Sequence, residues 1–381
     1  MTFPKVLCKK RTHRSFIRKS DKKFHVGGSS PFEKIPGIDM IKTFALDYMH
    51  LVCLGVVRTI FKLWVCGKRP FKLSSLAVAR ISCSLLALRP YLPSEFCRKP
   101  RHLLLIKRFK ATELRQLLLY TGPVVLKNFL STEKYENFLE LTVAMRILLC
   151  PRLRSQPELV QYARELLTHF VRSFKILYGV QFITHNFHNL IHLPDDVINF
   201  GSLDLVSAFR FKNYLQSLKS LVRKPYQVLP QIINRIREIS SCNVSRDELK
   251  AACTTAGSTP KNTSSSNIHC DNPDRKSFKL EAYQVSPGKK DACVGTVNGK
   301  IIKVEDITYS SDGKDLIVMG REFLEKTDLF TTPCPSSMVG IHKVAKLSCV
   351  NTWPASEIDK KYALLPNKNE FTATSMLHSD S

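Results

Sequence analysis

Residues 38–64 read IDMIKTFALDYMHLVCLGVVRTIFKLW, and they set the helical character of the first half of the chain. Large apolar residues recur in this stretch at the spacing of one helix face. They are Leu46, Met49, Leu54, Val57, Phe61 and Trp64. The most apolar part, 51–66, is interrupted by Arg58 and Lys62, and it is shorter than the roughly 20 residues that a membrane span needs. We therefore predict a core helix and no membrane segment.

The composition of the chain changes on both sides of a long helical region. Residues 1–36 are rich in Lys, Arg, Ser and Gly, with breakers at Pro31 and Pro36, which predicts a basic, poorly ordered N-terminal segment. Helical periodicity predicts a helical domain over 37–241. Residues 242–277 consist largely of Ser, Thr, Asn and Lys, which is the composition of a linker.

Beyond the linker the sequence favours β-strands. An Asn-Gly pair at 298–299 lies between two short apolar runs and strongly predicts a two-residue hairpin, and a second turn is predicted around the Asp-Gly pair at 312–313. We predict a small β-rich module over 278–366, arranged as a partly open barrel, and then a disordered tail over 367–381. The fold class is therefore mainly α, followed by a small C-terminal β module.

Charge points to a polyanionic partner. The 381 residues contain 58 Lys plus Arg against 32 Asp plus Glu, a formal net charge of +26. Such an excess most often indicates nucleic acid, although a solvated basic surface or an unselected, drifting sequence would give the same balance. Nine Lys or Arg occupy the first 25 residues without the apolar segment of a signal peptide. Twelve scattered cysteines, none in a C-x-x-C pair, favour free thiols in a reducing compartment.

Two basic clusters are the candidate nucleic-acid contacts. The N-terminal cluster comprises Lys9, Lys10, Arg11 and Arg14. The second cluster comprises Arg210, Lys212, Lys219, Arg223 and Lys224. Because phosphate neutralisation carries no base information, we predict weak, strongly salt-dependent DNA binding with little sequence preference.

Two groups of residues have spacings that suit a metal. Asp47 and His50 are three residues apart, and so are His50 and Cys53, which would place each pair on one face of a helix. The run THNFHNLIHL would place three histidines on one helical face. These are His185, His188 and His192. Two imidazoles at such spacing can converge on one ion, and a Cys or Asp from a distant helix would complete a tetrahedral zinc site. The alternative is that these histidines are hydrogen-bonded core or surface residues.

Motifs of several common enzymes are absent, and a family resemblance is present. The chain has no G-x-S-x-G, P-loop, H-E-x-x-H or Gly-rich dinucleotide turn. Residues 38–64 resemble the segment of CACTA (En/Spm-like) DNA transposases that carries their D-x-x-H motif. Residues 181–224, with FHNLIHL, GSLDLVSAF and RFKNYLQSLKSLVRKP, resemble a later conserved segment of that family. The strand-rich tail, with SSMVGIHKV, resembles the C-terminal part of insect copies, so the resemblance covers roughly residues 30–365.

The resemblance implies an RNase H-like nuclease core in which three acidic residues hold two catalytic metal ions. It places the D-x-x-H motif and a later histidine pair in the insertion between the second and third acids. Asp47, His50, His188 and His192 would then brace the insertion, with zinc as a structural cofactor and Cys53 as an alternative ligand to Asp47. Mg²⁺ would belong only to the ancestral active enzyme.

The sequence departs from the family at the catalytic acids. The third acid should be a Glu within the phrase F-x-F-E-x-Y-L, but this chain reads FRFKNYL with Lys212 at that position. An ammonium group repels Mg²⁺ and cannot ligate it. Only 46 residues precede Asp47, too few for the sheet that presents the first two acids, and we assign no catalytic role to their carboxylates. These are Asp21, Glu33 and Asp39.

The expected function is therefore that of an N-terminally truncated transposase-derived protein without enzymatic activity. The resemblance implies a nuclear location and DNA as the partner, with self-association as a further hypothesis and no membrane partner. One alternative is a host chromatin, DNA-binding or protein-interaction module with no role in transposition. An active nuclease is the other alternative, and the missing acids argue against it.

Overall fold

The computed structural model describes residues 2–3, 5, 8–22, 25, 27–254, 268–269, 277–310 and 315–378. The chain forms two compact units, one made of 1–207 with 267–381 and the other of 208–266. The first unit combines a set of helices with a β-barrel. The second contains two helices, α11 (Phe209–Ser220) and α12 (Val228–Thr254).

The helices of the first unit surround one buried helix. In chain order they are α1 (His13–Ile17), a π-helix (Met49–Val57) that continues into α2 (Arg58–Cys66), α3 (Ser75–Ala87), α4 (Ala111–Gln116), a π turn (Leu117–Thr121), α5 (Gly122–Val125), α6 (Thr132–Leu149), α7 (Pro151–Arg154), α8 (Pro157–Tyr178), α9 (His185–Asn189) and α10 (Leu193–Phe200). Every side chain of α6 from 137 to 149 is buried, and α8 packs along it. The Trp64 indole donates a buried hydrogen bond of 2.8 Å to the Tyr178 hydroxyl, which joins α2 to α8.

The segment Met49–Cys66 is long and apolar enough to cross a membrane by length and composition, and 67% of it is buried inside the protein. Its π-helical half packs against α4 and α9. This burial is what the predicted core helix requires. The stretch 27–254, which is described throughout, contains no β-strand.

The β-strands form a closed antiparallel barrel and a small sheet. The barrel strands are β4 (Cys293–Thr296), β5 (Ile301–Tyr309), β6 (Leu316–Asp328), β7 (Ile341–Pro354), β8 (Ile358–Asn367) and β9 (Glu370–Ser375). The small sheet contains β1 (Ile268–His269), β2 (Phe278–Leu280) and β3 (Tyr283–Val285). The barrel order is β4-β5-β6-β7-β9-β8, and β4 pairs with β8 to close the ring. Phe278 and Leu280 of the small sheet bury themselves in the apolar cluster at one end of the barrel.

The predicted hairpin at 298–299 is present between β4 and β5. Gly299 has φ +76°, and the backbone N–H of Thr296 donates to the carbonyl of Lys300 at 3.0 Å. The predicted turn at 312–313 lies outside the described residues, although β5 and β6 pair on either side of it. Two predictions about the module were wrong. The barrel is closed, and β9 lies within the segment 367–381 that was predicted to be a disordered tail.

Two further boundaries differ from the prediction. The helix α12 continues to Thr254, so helix replaces the first part of the predicted linker 242–277. Within the predicted disordered segment 1–36, a capping box forms α1, because Ser15 N–H donates to the Thr12 hydroxyl and Thr12 N–H donates to the Ser15 hydroxyl. Local capping therefore orders a stretch that its composition marks as loop.

Two buried cations tie the barrel to the helices of the first unit. Arg146 on α6 donates to the carbonyl oxygens of Val339 at 2.8 Å, Leu119 at 3.1 Å and Ser375 at 3.0 Å. Its guanidinium also donates to the Ser375 hydroxyl at 2.8 Å. Because these acceptors come from the helical part and from the barrel, Arg146 joins them.

The second buried cation is Lys361 on β8. Its Nζ lies 2.8 Å from Glu95 and 2.6 Å from Asp291, and it donates to the carbonyl of Gln284 at 2.5 Å. Glu95 follows the short 3₁₀ turn Arg89–Tyr91, whereas Asp291 precedes β4. The barrel therefore packs with the helices inside one compact unit.

Candidate functional site

The segment that begins at Asp47 is held by hydrogen bonds at the start of the π-helix. Asp47 Oδ1 accepts from the backbone N–H of Met49 at 3.0 Å and from the Ser207 hydroxyl at 3.4 Å. The Oδ2 atom contacts Nδ1 of His50. The carboxylate therefore fixes the entry to this helix, and both of its oxygens are already engaged.

His50 and Cys53 do not share a face, contrary to the prediction. The His50 side chain is 64% exposed, whereas Cys53 is fully buried. A π-helix winds more widely than an α-helix, so residues three apart diverge around its axis. Burial raises the pKa of the Cys53 thiol to about 12, and Tyr48 is hydrogen-bonded to it. Because zinc binds the thiolate, Cys53 is a poor ligand in this setting.

The helix predicted to carry three histidines is divided by a 3₁₀ turn, Leu190–His192, between α9 and α10. His188 and His192 remain neighbours, with ring centroids 5.6 Å apart. Phe3 lies 5.7 Å from the ring centroids of both His185 and His188. Burial lowers the pKa of His188 and of His192 below the ordinary histidine value, which favours their neutral form. Within the described part of the chain, no hydrogen-bond partner reaches the buried Nδ1 of His188.

The two motif segments meet at Gly55. A Cβ atom at this position would clash with the side chain of Asn186 on α9 and with the carbonyl of His50. Glycine therefore allows α9 to approach the π-helix closely. The Asn186 side chain therefore packs directly on the backbone of the π-helix at Gly55.

The candidate zinc ligands do not form a closed site in this arrangement. Among the described residues, no three His, Cys, Asp or Glu side chains come close enough together to hold a metal ion. The predicted zinc ligands are Asp47, His50, Cys53, His188 and His192. Zinc binding stays a prediction that elemental analysis of the purified protein can test, and it now requires these side chains to rearrange.

The three carboxylates upstream of the D-x-x-H motif all have local structural partners. Asp21 accepts from Arg11 at 2.9 Å. Glu33 accepts from the backbone N–H of Ser30 at 2.8 Å in a capping box. Asp39 accepts from two backbone N–H groups of the following turn, which lowers the pKa of its carboxyl. Each of these carboxylates therefore stabilises its local segment.

The N-terminal basic cluster is partly neutralised. Lys10 pairs with Asp195 at 2.6 Å, and Arg11 pairs with Asp21. Lys9 and Arg14 are exposed. Half of this predicted cluster therefore has a carboxylate partner that a phosphate would have to displace.

The second basic cluster lies in the second unit, and all of its members are exposed. Arg210, Lys212 and Lys219 lie on α11, whereas Arg223 and Lys224 lie in the loop before α12. Residues 205–237 contain seven Lys or Arg and no Asp or Glu. Arg235 pairs with Glu238, which directly follows the run, at 2.6 Å. The five members of the basic cluster share this run with no Asp or Glu. The absence of Asp and Glu from 205–237 can be recognised from the sequence alone.

The loop between α11 and α12 is held by one glutamine that the sequence analysis did not single out. Gln231 Oε1 accepts from the backbone N–H groups of Arg223 at 3.0 Å and Lys224 at 3.1 Å. Its Nε2 donates to the carbonyls of Lys224 at 3.0 Å and Tyr226 at 2.6 Å. Four hydrogen bonds from one side chain give this loop a defined shape.

Large apolar side chains also stand on this surface, and sequence reasoning missed their exposure. Phe211 is 68% exposed, Tyr214 59% and Tyr226 61%. Their helical spacing resembled that of a buried face. We name the exposed side chains of 210–226 the basic–aromatic surface.

Comparison with known proteins identifies one partial match. Residues 263–376, which include the barrel, match a family model described as a domain of unknown function (DUF8592). Neither the curated proteins nor the solved structures give a match.

Proposed function

We propose that this protein binds DNA through the second unit and is a catalytically inactive, nuclear derivative of a CACTA-type transposase. The observation that carries the DNA-binding proposal is the acid-free run 205–237, whose cationic side chains on α11 and its following loop are exposed. Closely spaced cations without competing carboxylates release counterions from DNA when they contact phosphates. The transposase origin is supported by the motif resemblance of 38–64 and 181–224.

Loss of catalysis is supported by chemistry at one position. Lys212 occupies the place of the third catalytic acid and lies on α11 with its side chain exposed. Two divalent ions need several carboxylates to hold them, and an ammonium at this place opposes both. The carboxylates upstream of the D-x-x-H motif serve an ion pair, a helix cap and a turn.

A host protein-interaction module is the second candidate, and the exposed apolar side chains of the second unit favour it. Large exposed apolar patches often mark protein interfaces. Salt separates the two functions, because apolar association depends far less on ionic strength than phosphate neutralisation does.

DNA binding is expected to be strongly salt-dependent. If about five phosphates are neutralised, the association constant should fall about 500-fold between about 50 and 200 mM salt. Replacing Arg210, Lys212 and Lys219 together by alanine should reduce the magnitude of the log–log salt slope by about 2.7, because each contact contributes about 0.9. Fluorescence anisotropy with a labelled duplex at several salt concentrations measures both quantities.

A matched control removes the same charge from the barrel. Arg321, Lys343 and Lys346 are paired with Glu305, Glu370 and Glu325, so their joint replacement by alanine should leave the slope almost unchanged. An equal loss of slope in both triple variants would mean that net charge alone, and not this surface, drives binding. Affinity that does not change with salt would reject the proposed function.

Neither the natural chain nor the Lys212→Glu variant is expected to cleave DNA. The substitution supplies one carboxylate where a two-metal site needs several, and it reverses a charge on the proposed DNA-binding surface. Incubation of a labelled duplex with Mg²⁺ or Mn²⁺, followed by denaturing electrophoresis, checks both proteins. Metal-dependent nicking by the natural chain would overturn the inactive-enzyme proposal. Nicking by the variant alone would show that other acids of the chain complete the site.

A further inference from the structure

We propose that the basic–aromatic surface selects single-stranded nucleic acid over duplex, by stacking exposed bases on its aromatic rings. This inference rests on the proposed function and names the form of nucleic acid that the surface takes. Its three parts are an apolar stripe on α11, cations beside that stripe, and a clamped loop that presents a further ring.

The apolar stripe follows one face of α11. Phe211, Tyr214, Leu215 and Leu218 are spaced by three, four and seven residues, which aligns them along one side of the helix. The first three are 68%, 59% and 55% exposed, so the helices of the second unit that the structure describes leave them largely uncovered. Leaving such area in water is unfavourable, and it indicates a ligand with flat apolar faces.

Cations border this stripe on both sides. Lys212 and Lys219 are seven residues apart and lie together on one side, whereas Arg210 lies on the other. The positive side chains therefore lie within about one helical turn of the aromatic rings. A strand whose bases lie on the stripe would carry its phosphates along these cations.

The loop adds a ring in a fixed position. Tyr226 is 61% exposed, and its backbone carbonyl is held by Gln231. The Lys224 ammonium lies 5.8 Å from the centroid of the Tyr226 ring. Because this ammonium lies over one face of the ring, a base would stack on the opposite face, and little loop entropy would be lost on binding.

This combination favours single strands on physical grounds. Duplex bases are stacked on each other and present only their edges to a protein, so a duplex would gain from the cations but not from the rings. Unpaired bases expose their π-faces, and stacking on aromatic side chains is largely independent of sequence. The shared ligand chemistry is an unpaired base beside a phosphate, which single-stranded DNA and RNA both supply.

The test uses the full chain and four labelled probes of equal length, each about 16 nucleotides. The probes are oligothymidine, oligouridine, a mixed-sequence duplex and an abasic DNA strand, which keeps the phosphates and lacks the bases. We expect anisotropy titrations at one salt concentration to show the two unpaired base-bearing strands binding about 10-fold or more tighter than the duplex and the abasic strand. The ratio of oligothymidine to oligouridine affinity assigns the sugar preference.

Variants then connect the preference to the rings. Phe211→Leu and Tyr226→Leu keep an apolar side chain and remove the aromatic ring, and each should weaken oligothymidine binding about 5- to 100-fold and duplex binding by a much smaller factor. Tyr309→Leu, at a 44% exposed tyrosine of the barrel, is the matched control and should have no effect. Far-UV circular dichroism confirms that the variants keep their helices.

The outcomes separate this inference from the proposed function. Equal affinity for oligothymidine and the abasic strand, or tighter binding of the duplex, would overturn the stacking inference while DNA binding by the second unit stands. Ring variants that weaken duplex and single-strand binding equally would also overturn it. Failure to bind any probe would reject both.

Discussion

Replacing Lys361 by methionine is expected to destabilise the first unit by about 3–5 kcal/mol, because it leaves two carboxylates buried without their cation. Lys361 is 0% exposed, and its partners Glu95 and Asp291 are 5% and 11% exposed. Methionine keeps most of the apolar stem, so the change tests charge more than volume. Urea unfolding followed by tryptophan fluorescence measures the loss. Because Trp64 lies in the helical part and Trp353 in the barrel, single-tryptophan versions should show both transitions shifting together.

A neutralised triple variant separates charge from packing. Lys361→Met combined with Glu95→Gln and Asp291→Asn removes all three charges, and it should recover a large part of the lost stability. Lys360→Met, at the neighbouring and partly exposed lysine, should change stability by less than about 0.5 kcal/mol. A Lys361→Met protein within about 1 kcal/mol of the natural chain would show that this network does not hold the barrel to the helices.

Replacing Arg146 by methionine is expected to cost about 3–5 kcal/mol, because the carbonyls that it satisfies would be left buried without a donor. Arg146 is 0% exposed, and burial lowers the pKa of its guanidinium. Its guanidinium donates to three backbone carbonyls and one hydroxyl, and none of these acceptors is a carboxylate. The guanidinium stabilises the fold through its hydrogen bonds, since its five N–H donors have a fixed geometry. Urea unfolding gives the loss, and hydrogen exchange should show faster exchange of the β9 amides because Ser375 ends that strand.

Two controls test whether donor geometry is the cause. Arg146→Lys keeps the charge but offers only three donors from one point, so it should be no more stable than the methionine variant. Arg152→Met removes an exposed arginine from α7 and should cost less than about 0.5 kcal/mol. A lysine variant as stable as the natural chain would show that charge alone, and not the hydrogen-bond set, is what the core needs.

Periodicity and turn chemistry predicted the change from helix to strand, and the structure confirms a mainly helical region followed by β-strands. The Asn-Gly pair at 298–299 was sufficient for the first hairpin, because few residues tolerate its backbone conformation.

The parts that could not be predicted depend on distant pairing. Lys361 and Arg146 look like surface residues in sequence, and only the tertiary fold supplies Glu95, 266 residues from Lys361, or Ser375, 229 residues from Arg146. The metal prediction met the same difficulty. Spacing places residues on a helix face, but it cannot anticipate a π-helix that separates His50 from Cys53. The basic surface was different, because charge and the absence of acids are properties of sequence alone.

The strand order of the barrel means that the sheet cannot close until the last strand has been synthesised. β9 lies between β7 and β8, although the ribosome makes it after both of them. Until β9 emerges, β7 and β8 each present an unpaired edge, and such edges are prone to pair with other chains. The carbonyl and hydroxyl of Ser375 that Arg146 uses also arrive only with this strand. A nascent chain stalled before residue 370 would therefore hold a finished α6 whose Arg146 lacks its Ser375 acceptors, beside an open sheet, a state that quality control can recognise.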